Sequence, residues 1–247
     1  MKIIGLVLAL VIGISSPLHA QGEPLRVAVD TFAPPFVMES ANNQLYGFDI
    51  AMMQSLCRIM ERTCQFVPVP FEDIFATIET RKADVGVSAI IITAERASRV
   101  NFSLPYLLSY ARFLGPKKWI GQTFRLQLLT NQTVGVSEGT IFPEVVKTLG
   151  IANVKSVKFD RLDSMIEALE EGDIDFALMD EPTALYWQSQ SSGTLTVVGE
   201  PFIYGFGLGI AVNRGEPDLL QVINKALLQY QNSDEFKLNY QKYIAHF

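Results

Sequence analysis

Two residues of opposite charge, Arg96 and Asp180, stand where the chain reads as leaving a buried strand. Residues 85–92 are short, apolar and β-branched, which predicts a strand buried on both faces. Thr93 holds the N-cap position of a helical turn opened by Ala94, Glu95 and Arg96. Arg96 therefore emerges just past the C-terminal end of a parallel strand, the edge at which open α/β sheets bind ligands. A guanidinium there is a rigid fork of donors matched to a carboxylate. The alternative is a surface arginine in a first helical turn. Residues 174–179 repeat the pattern, with Asp180 at the strand end and Pro182 behind it. A carboxylate so placed needs a cation to offset its desolvation, or else lies partly exposed at a helix start. Asp30 follows a first strand, residues 25–29, and either caps its loop or faces the same edge.

The elements between these residues must carry them to one place. Pro34 and Pro35 hold the loop after Asp30 extended and block any helix. Asn42 and Asn43 mark a hairpin tip, and Asp49 is read as the N-cap of a helix reaching about Glu61, with a ligand-facing role as the alternative. A strand at 66–69 precedes a helix over 71–82, in which Phe71, Ile74, Phe75 and Ile78 recur at helical spacing. Phe71, at its start, either fills the core or faces the strand ends. Residues 108–113 are read as a first crossing into a second lobe, and 206–212 as the return. Between them, strands at 131–136, 154–159, 174–179 and 194–198 alternate with helices at 142–149 and 163–171, an α/β pattern. Gly139 and Thr140 precede the helix at 142, where free backbone N–H groups suit an anion; an ordinary N-cap is the alternative reading of Thr140. Helices over 218–231 and 236–244 close the chain.

Composition removes several function classes. Lys2 followed by a short apolar run and Ala20 reads as a cleavable signal peptide over 1–20, too short for a membrane span of about 20 residues. The formal charge of −6 becomes one unit more negative once Lys2 is lost, which argues against nucleic acid. Of two histidines, His19 leaves with the signal and His246 is next to last, so a histidine-based triad or metal site is nearly excluded. Cys57 and Cys64 would meet an oxidising compartment. On one continuous helix their Cα atoms would be about 10.5 Å apart, beyond the roughly 7 Å a disulfide tolerates. They pair only if the helix stops near Arg62 and Thr63 and Cys64 opens the next element; otherwise they are two buried thiols.

The segment from Asp84 to Pro105 resembles one of periplasmic amino-acid-binding proteins of ABC importers, the bacterial solute-binding protein family 3, written D-x-x-x-x-G-x-T/S-I-T-x-E-R…F-S-x-P-Y. Tyr46-Gly-Phe-Asp49, Asp30 with Pro35-Phe36, and Asp180-Glu-Pro extend the resemblance over nearly all of residues 25–244. The C-x6-C pair resembles the lysine/arginine/ornithine- and histidine-binding branch. The resemblance implies a two-lobed α/β fold of the periplasmic binding protein type II class with two crossings. Lobe one would comprise 21–107 and 205–247, and lobe two 108–204. It implies a monomeric exported protein that closes on an amino acid and delivers it to an inner-membrane importer, with no cofactor.

By the same resemblance Arg96 clamps the ligand's α-carboxylate, Thr140 completes that site, and Asp180 binds the α-ammonium. Phe71 packs on the ligand side chain and Asp30 faces its end. Ser88, Ala89 and Ile91 form the floor. Two departures stand out: Ala89 and Ile91 occupy positions where the family carries Gly or Ser and then Thr or Ser, and Ala33 replaces an aromatic, with Phe32 one position earlier. The ligand expected is arginine- or lysine-like, with glutamine or histidine behind, or else a non-standard small anion. Periplasmic cyclohexadienyl dehydratases share this fold, and an enzyme of that kind would need Asp180, Glu138 or Glu181 as a protonated general acid.

Overall fold

A computed structural model describes residues 23–245. The expected signal segment, 1–20, and His246 lie outside the described residues. The chain begins with β1 (Leu25–Asp30), a small hairpin of β2 (Met38–Glu39) and β3 (Leu45–Tyr46), α1 (Phe48–Ile59) and β4 (Cys64–Val69). α2 (Ile74–Glu79), β5 (Val85–Gly86), α3 (Ala94–Ala97) and β6 (Asn101–Phe102) follow. The middle of the chain runs β7 (Tyr110–Pro116), β8 (Thr133–Ser137), α4 (Phe142–Thr148), β9 (Lys155–Phe159), α5 (Leu162–Glu171), β10 (Phe176–Asp180), α6 (Glu181–Gln190) and β11 (Leu195–Ile203). β12 (Ala211–Val212), α7 (Pro217–Gln231) and α8 (Asp234–Tyr243) complete it.

These strands build two five-stranded sheets, ordered β4-β1-β5-β12-β6 and β11-β7-β10-β8-β9. In the first, β1 pairs parallel with β4 and β5, so Asp30 and the chain beyond β5 leave the sheet at the same edge. In the second, β8 pairs parallel with β9 and β10, which brings Ser137, Phe159 and Asp180 to one edge. Alternation decides what each strand buries. Val27 and Val29 join a core with Phe48, Met52 and Leu56 of α1 and Leu227 and Tyr230 of α7, whereas Ala28 faces Ile74, Phe75 and Ile78 of α2. In the second sheet Phe176 and Leu178 pack with Val134 and Val145, and Ala177 and Met179 with Met165, Ile166 and Leu169. Each such buried aliphatic or aromatic side chain contributes about 1.5–3 kcal/mol. Exposed ion pairs such as Lys147–Glu144 contribute at most about 1 kcal/mol, so apolar burial holds the lobes together.

The two sheets are joined by residues 103–109 and 204–210, which run side by side. Tyr106 N–H donates to the Leu208 carbonyl at 2.8 Å and Leu208 N–H to that of Leu107 at 2.9 Å. Ser109 Oγ donates to the Tyr204 carbonyl at 2.5 Å and accepts from Gly207 N–H at 3.2 Å. A Cβ on Gly205 would lie 2.4 Å from Ile91 Cγ2, and one on Gly207 2.8 Å from the Leu107 carbonyl oxygen. Glycine is what lets the return strand lie this close to the site loop.

Several expectations need correction. The strand read over 85–92 is assigned only to Val85–Gly86, because the backbone turns at Ala89 into the left-handed region, φ 46°. The helix read from 71 opens as a 3₁₀ turn, Phe71–Asp73, and ends at Glu79. Residues 110–113 belong to β7 of the second sheet, so the crossing proper precedes them. Asp49 is not an N-cap: Gly47 holds that position at φ 131°, where a Cβ would meet the Phe36 carbonyl oxygen at 2.2 Å. Cys57 lies in α1 and Cys64 opens β4, with their Cα atoms 5.8 Å apart in a disulfide. Helix termination at Ile59 brings them together.

Candidate functional site

The strand ends of both sheets face one cleft, holding about 820 Å³ when its open mouth is counted. Asp30, Phe32, Phe71, Ser88, Ala89, Ile91 and Arg96 line it from the first lobe. Glu138, Thr140, Asp160, Arg161, Asp163, Asp180 and Thr183 line it from the second. Of the residues read from the sequence as ligand-facing, all but Asp49 border this one space. Glu181 does not: it forms an ion pair with Arg112 at 2.9 Å, which removes it as a free acid.

Arg96 is positioned by its own turn. Thr93 Oγ1 accepts from Arg96 N–H at 3.2 Å, the cap foreseen for α3. The side chain is only 8% exposed. Nη1 donates to the Ile91 carbonyl at 2.9 Å and Nη2 to the Gly139 carbonyl of the other lobe at 3.1 Å. The guanidinium carbon lies 5.5 Å from the Phe71 ring centre and 5.2 Å from that of Phe75. Burial lowers its pKa to about 10, opposed chiefly by the charge of Asp180, so it stays cationic at neutral pH. Ile91 therefore serves the site through its carbonyl.

Asp180 ends β10 and is followed at once by α6. Its Oδ1 is buried and has no hydrogen-bond partner. Burial raises its pKa to about 7, partly countered by Arg96. An acceptor left this way in low dielectric favours a donor that brings positive charge. Asp30 is raised to about 6, first by burial, with the N–H groups of Thr31 and Phe32 opposing and the charge of Glu72 adding. Its Oδ1 accepts from Thr31 N–H at 2.7 Å, and Ser88 Oγ accepts from Asp30 N–H at 3.4 Å.

Thr140 is a turn residue: its hydroxyl donates to the Ser137 carbonyl at 2.6 Å, while α4 begins at Phe142 with Ile141 before it. Gly139 packs closely against the first lobe. Its φ is 72°, and a Cβ there would lie 2.7 Å from Glu72 Cα. Phe32 meets Trp187 of the second lobe edge-on, ring centres 6.3 Å apart. The reading from sequence missed Asp160, Arg161 and Asp163. They follow the end of β9, and the rule that located Asp30 and Asp180 also finds Asp160 there.

Residues 25–246 match the family model of bacterial extracellular solute-binding proteins, family 3. ABC transporter arginine-binding protein 1 of Escherichia coli strain K12 is 31% identical over 208 residues, covering 83% of this chain and 84% of the relative. An ancestral arginine-binding protein bound to arginine is 30% identical with a TM-score of 0.83, covering 91% of this chain and 99% of that one. The ancestral amino acid-binding protein AncCDT-1, a precursor of cyclohexadienyl dehydratase, is 27% identical with a TM-score of 0.82, covering 90% and 96%. The two-sheet fold with its interlobe cleft and the match over nearly the whole chain together make this protein a member of family 3 of the bacterial extracellular solute-binding proteins.

Proposed function

We propose that the cleft captures a cationic α-amino acid, arginine- or lysine-like, and that an inner-membrane ABC importer receives it from the closed protein. The observation that carries this reading is Arg96 and Asp180 bordering one space from opposite lobes, a fork for the α-carboxylate and an unpartnered acceptor for the α-ammonium. The remaining charge selects the side chain. Arg161 is bonded to Asp163, which leaves Asp30, Glu138 and Asp160 as lining acids outside the ion pairs of the described residues. These three lining carboxylates suit a cation and repel an acidic ligand. The arginine-binding relatives support the same class.

On this reading lobe one is 21–107 with 205–247 and lobe two is 108–204. The ligand bridges them and shifts the equilibrium toward closure. Export follows a signal peptide over 1–20, and the mature protein works in the periplasm as a monomer. The first test is the melting temperature of refolded protein with each common amino acid. A ligand at 100 times its Kd adds about 2.7 kcal/mol of stability; no shift with arginine or lysine would remove the proposed class. Asp30→Asn is expected to weaken arginine by about tenfold or more and glutamine far less, by calorimetry. Equal losses would take Asp30 out of the specificity role. Gly139→Ala is expected to lower the free protein's melting temperature, because alanine is strained at φ 72°, and to weaken arginine by about tenfold or more, because the added methyl strikes Glu72 backbone on closure. Unchanged affinity would mean that the lobes need not meet there.

A second reading has one observation behind it. Burial brings Asp180 to about 7, so part of it is protonated at neutral pH, as a general acid requires. A dehydratase-like activity is tested by incubating the protein with prephenate and arogenate; product formation abolished by Asp180→Asn would establish it.

A further inference from the structure

Behind the cleft lies a carboxylate that the binding scheme above leaves unused. Asp49 is 0% exposed and does not border the cavity. Its Oδ2 accepts from Ala89 N–H at 2.8 Å and from the Tyr106 hydroxyl at 3.1 Å. We propose that Asp49 is a positioning residue, which holds Ala89 in its left-handed conformation and ties the ligand-facing loop 88–91 to the first crossing between lobes. The inference rests on the amino-acid-binding reading given above.

Ala89 has φ 46°, a region that costs a residue with a Cβ about 1 kcal/mol or more. The buried hydrogen bond from its N–H to Asp49 Oδ2 offsets that cost. The conformation matters because of what flanks it. One residue earlier, Ser88 Oγ receives the Asp30 N–H; two residues later, the Ile91 carbonyl receives Arg96 Nη1. If Ala89 relaxed to an ordinary φ, both contacts would shift, and misplacement of about 1 Å is enough to weaken a preorganised site. The second arm of Asp49 reaches Tyr106, whose own N–H is bonded to Leu208 of the return crossing. The Tyr106 ring stacks on Phe48, the residue before Asp49, with centres 6.2 Å apart. Burial and the charge of Asp49 push the Tyr106 hydroxyl well up from its usual pKa, so it remains a donor. One carboxylate therefore joins the floor of the site to the segment that must flex.

The experiment uses the full mature chain and L-arginine as probe. Asp49→Asn and Tyr106→Phe are each expected to weaken arginine binding by about tenfold, with the free protein still folded. Amide hydrogen exchange over 88–91 is expected to quicken in Asp49→Asn while that of β8 and β9 does not change. Adding Ala89→Gly to Asp49→Asn is expected to restore part of the affinity, since glycine adopts φ 46° without a penalty. A purely structural role for Asp49 in α1 predicts no such rescue. Unchanged exchange over 88–91, or no rescue by Ala89→Gly, overturns the proposal. Should Asp49→Asn fail to fold, Tyr106→Phe decides, and wild-type affinity in that variant overturns it. Should the unaltered protein not bind L-arginine, the ligand reading falls, and the exchange arm alone decides the role of Asp49.

Discussion

Arg96→Ala is expected to abolish amino-acid binding and to leave both lobes folded. Removing one partner from a buried, hydrogen-bonded ion pair costs about 3–5 kcal/mol, which is about a hundredfold to several thousandfold in Kd. The geometry places Arg96 at that upper range. Its charge is buried, its ring neighbours are Phe71 and Phe75, and two backbone carbonyls, of Ile91 and Gly139, fix the plane of the fork. Arg96→Lys keeps the charge and discards the fork, so it separates the two contributions. A lysine ammonium cannot reach both carbonyls and a ligand carboxylate at once, and a loss of about a hundredfold is expected. Calorimetric titration with L-arginine measures both variants, and circular dichroism checks the fold. Near-normal affinity in Arg96→Lys would reduce the site to a point charge. Near-normal affinity in Arg96→Ala would remove Arg96 from the carboxylate role.

What could be read from residue order was whatever is local. Thr93 capping α3 and Asp180 ending a strand depend on neighbours a few residues away, and these were legible. The strand read through 85–92 was not, because an apolar β-branched run does not reveal that Ala89 will turn over. What turns it is Asp49, 40 residues away in sequence, and Tyr106, 57 residues from that aspartate, completes the contact. Asp49 was read as a cap for the same reason: an acid beside a helix start is ordinary, and its long-range partners leave no local trace.

The second large effect expected is of pH, and it runs in opposite directions for ligand and free protein. Burial raises Asp180 to about 7 and Asp30 to about 6 from an ordinary 3.8, and the charge of Asp49 adds to the rise in Asp180 while Arg96 opposes it. A ligand that presents an ammonium and a cationic side chain requires both carboxylates ionised. As pH falls below about 7, affinity should drop roughly tenfold per unit as Asp180 protonates, with Asp30 adding a second factor below about 6. Between about pH 8 and about pH 5 the total is roughly a thousandfold. For the free protein the sign reverses. Groups whose folded pKa lies above the unfolded value leave the folded state holding more protons between about pH 4 and about pH 7. Their stability contribution is complete below about pH 4 and is lost as pH rises through the folded pKa values. Asp49, also raised to about 7 by burial, joins this stability trend. Titration calorimetry in buffers of different ionisation enthalpy should therefore find protons released on binding near neutral pH, while the melting temperature of free protein rises toward acid. Asp30→Asn should flatten only the segment of the affinity profile below about pH 6. A flat profile in the unaltered protein would mean that Asp180 is already ionised before the ligand arrives, and would leave an acid-catalytic role for it without support.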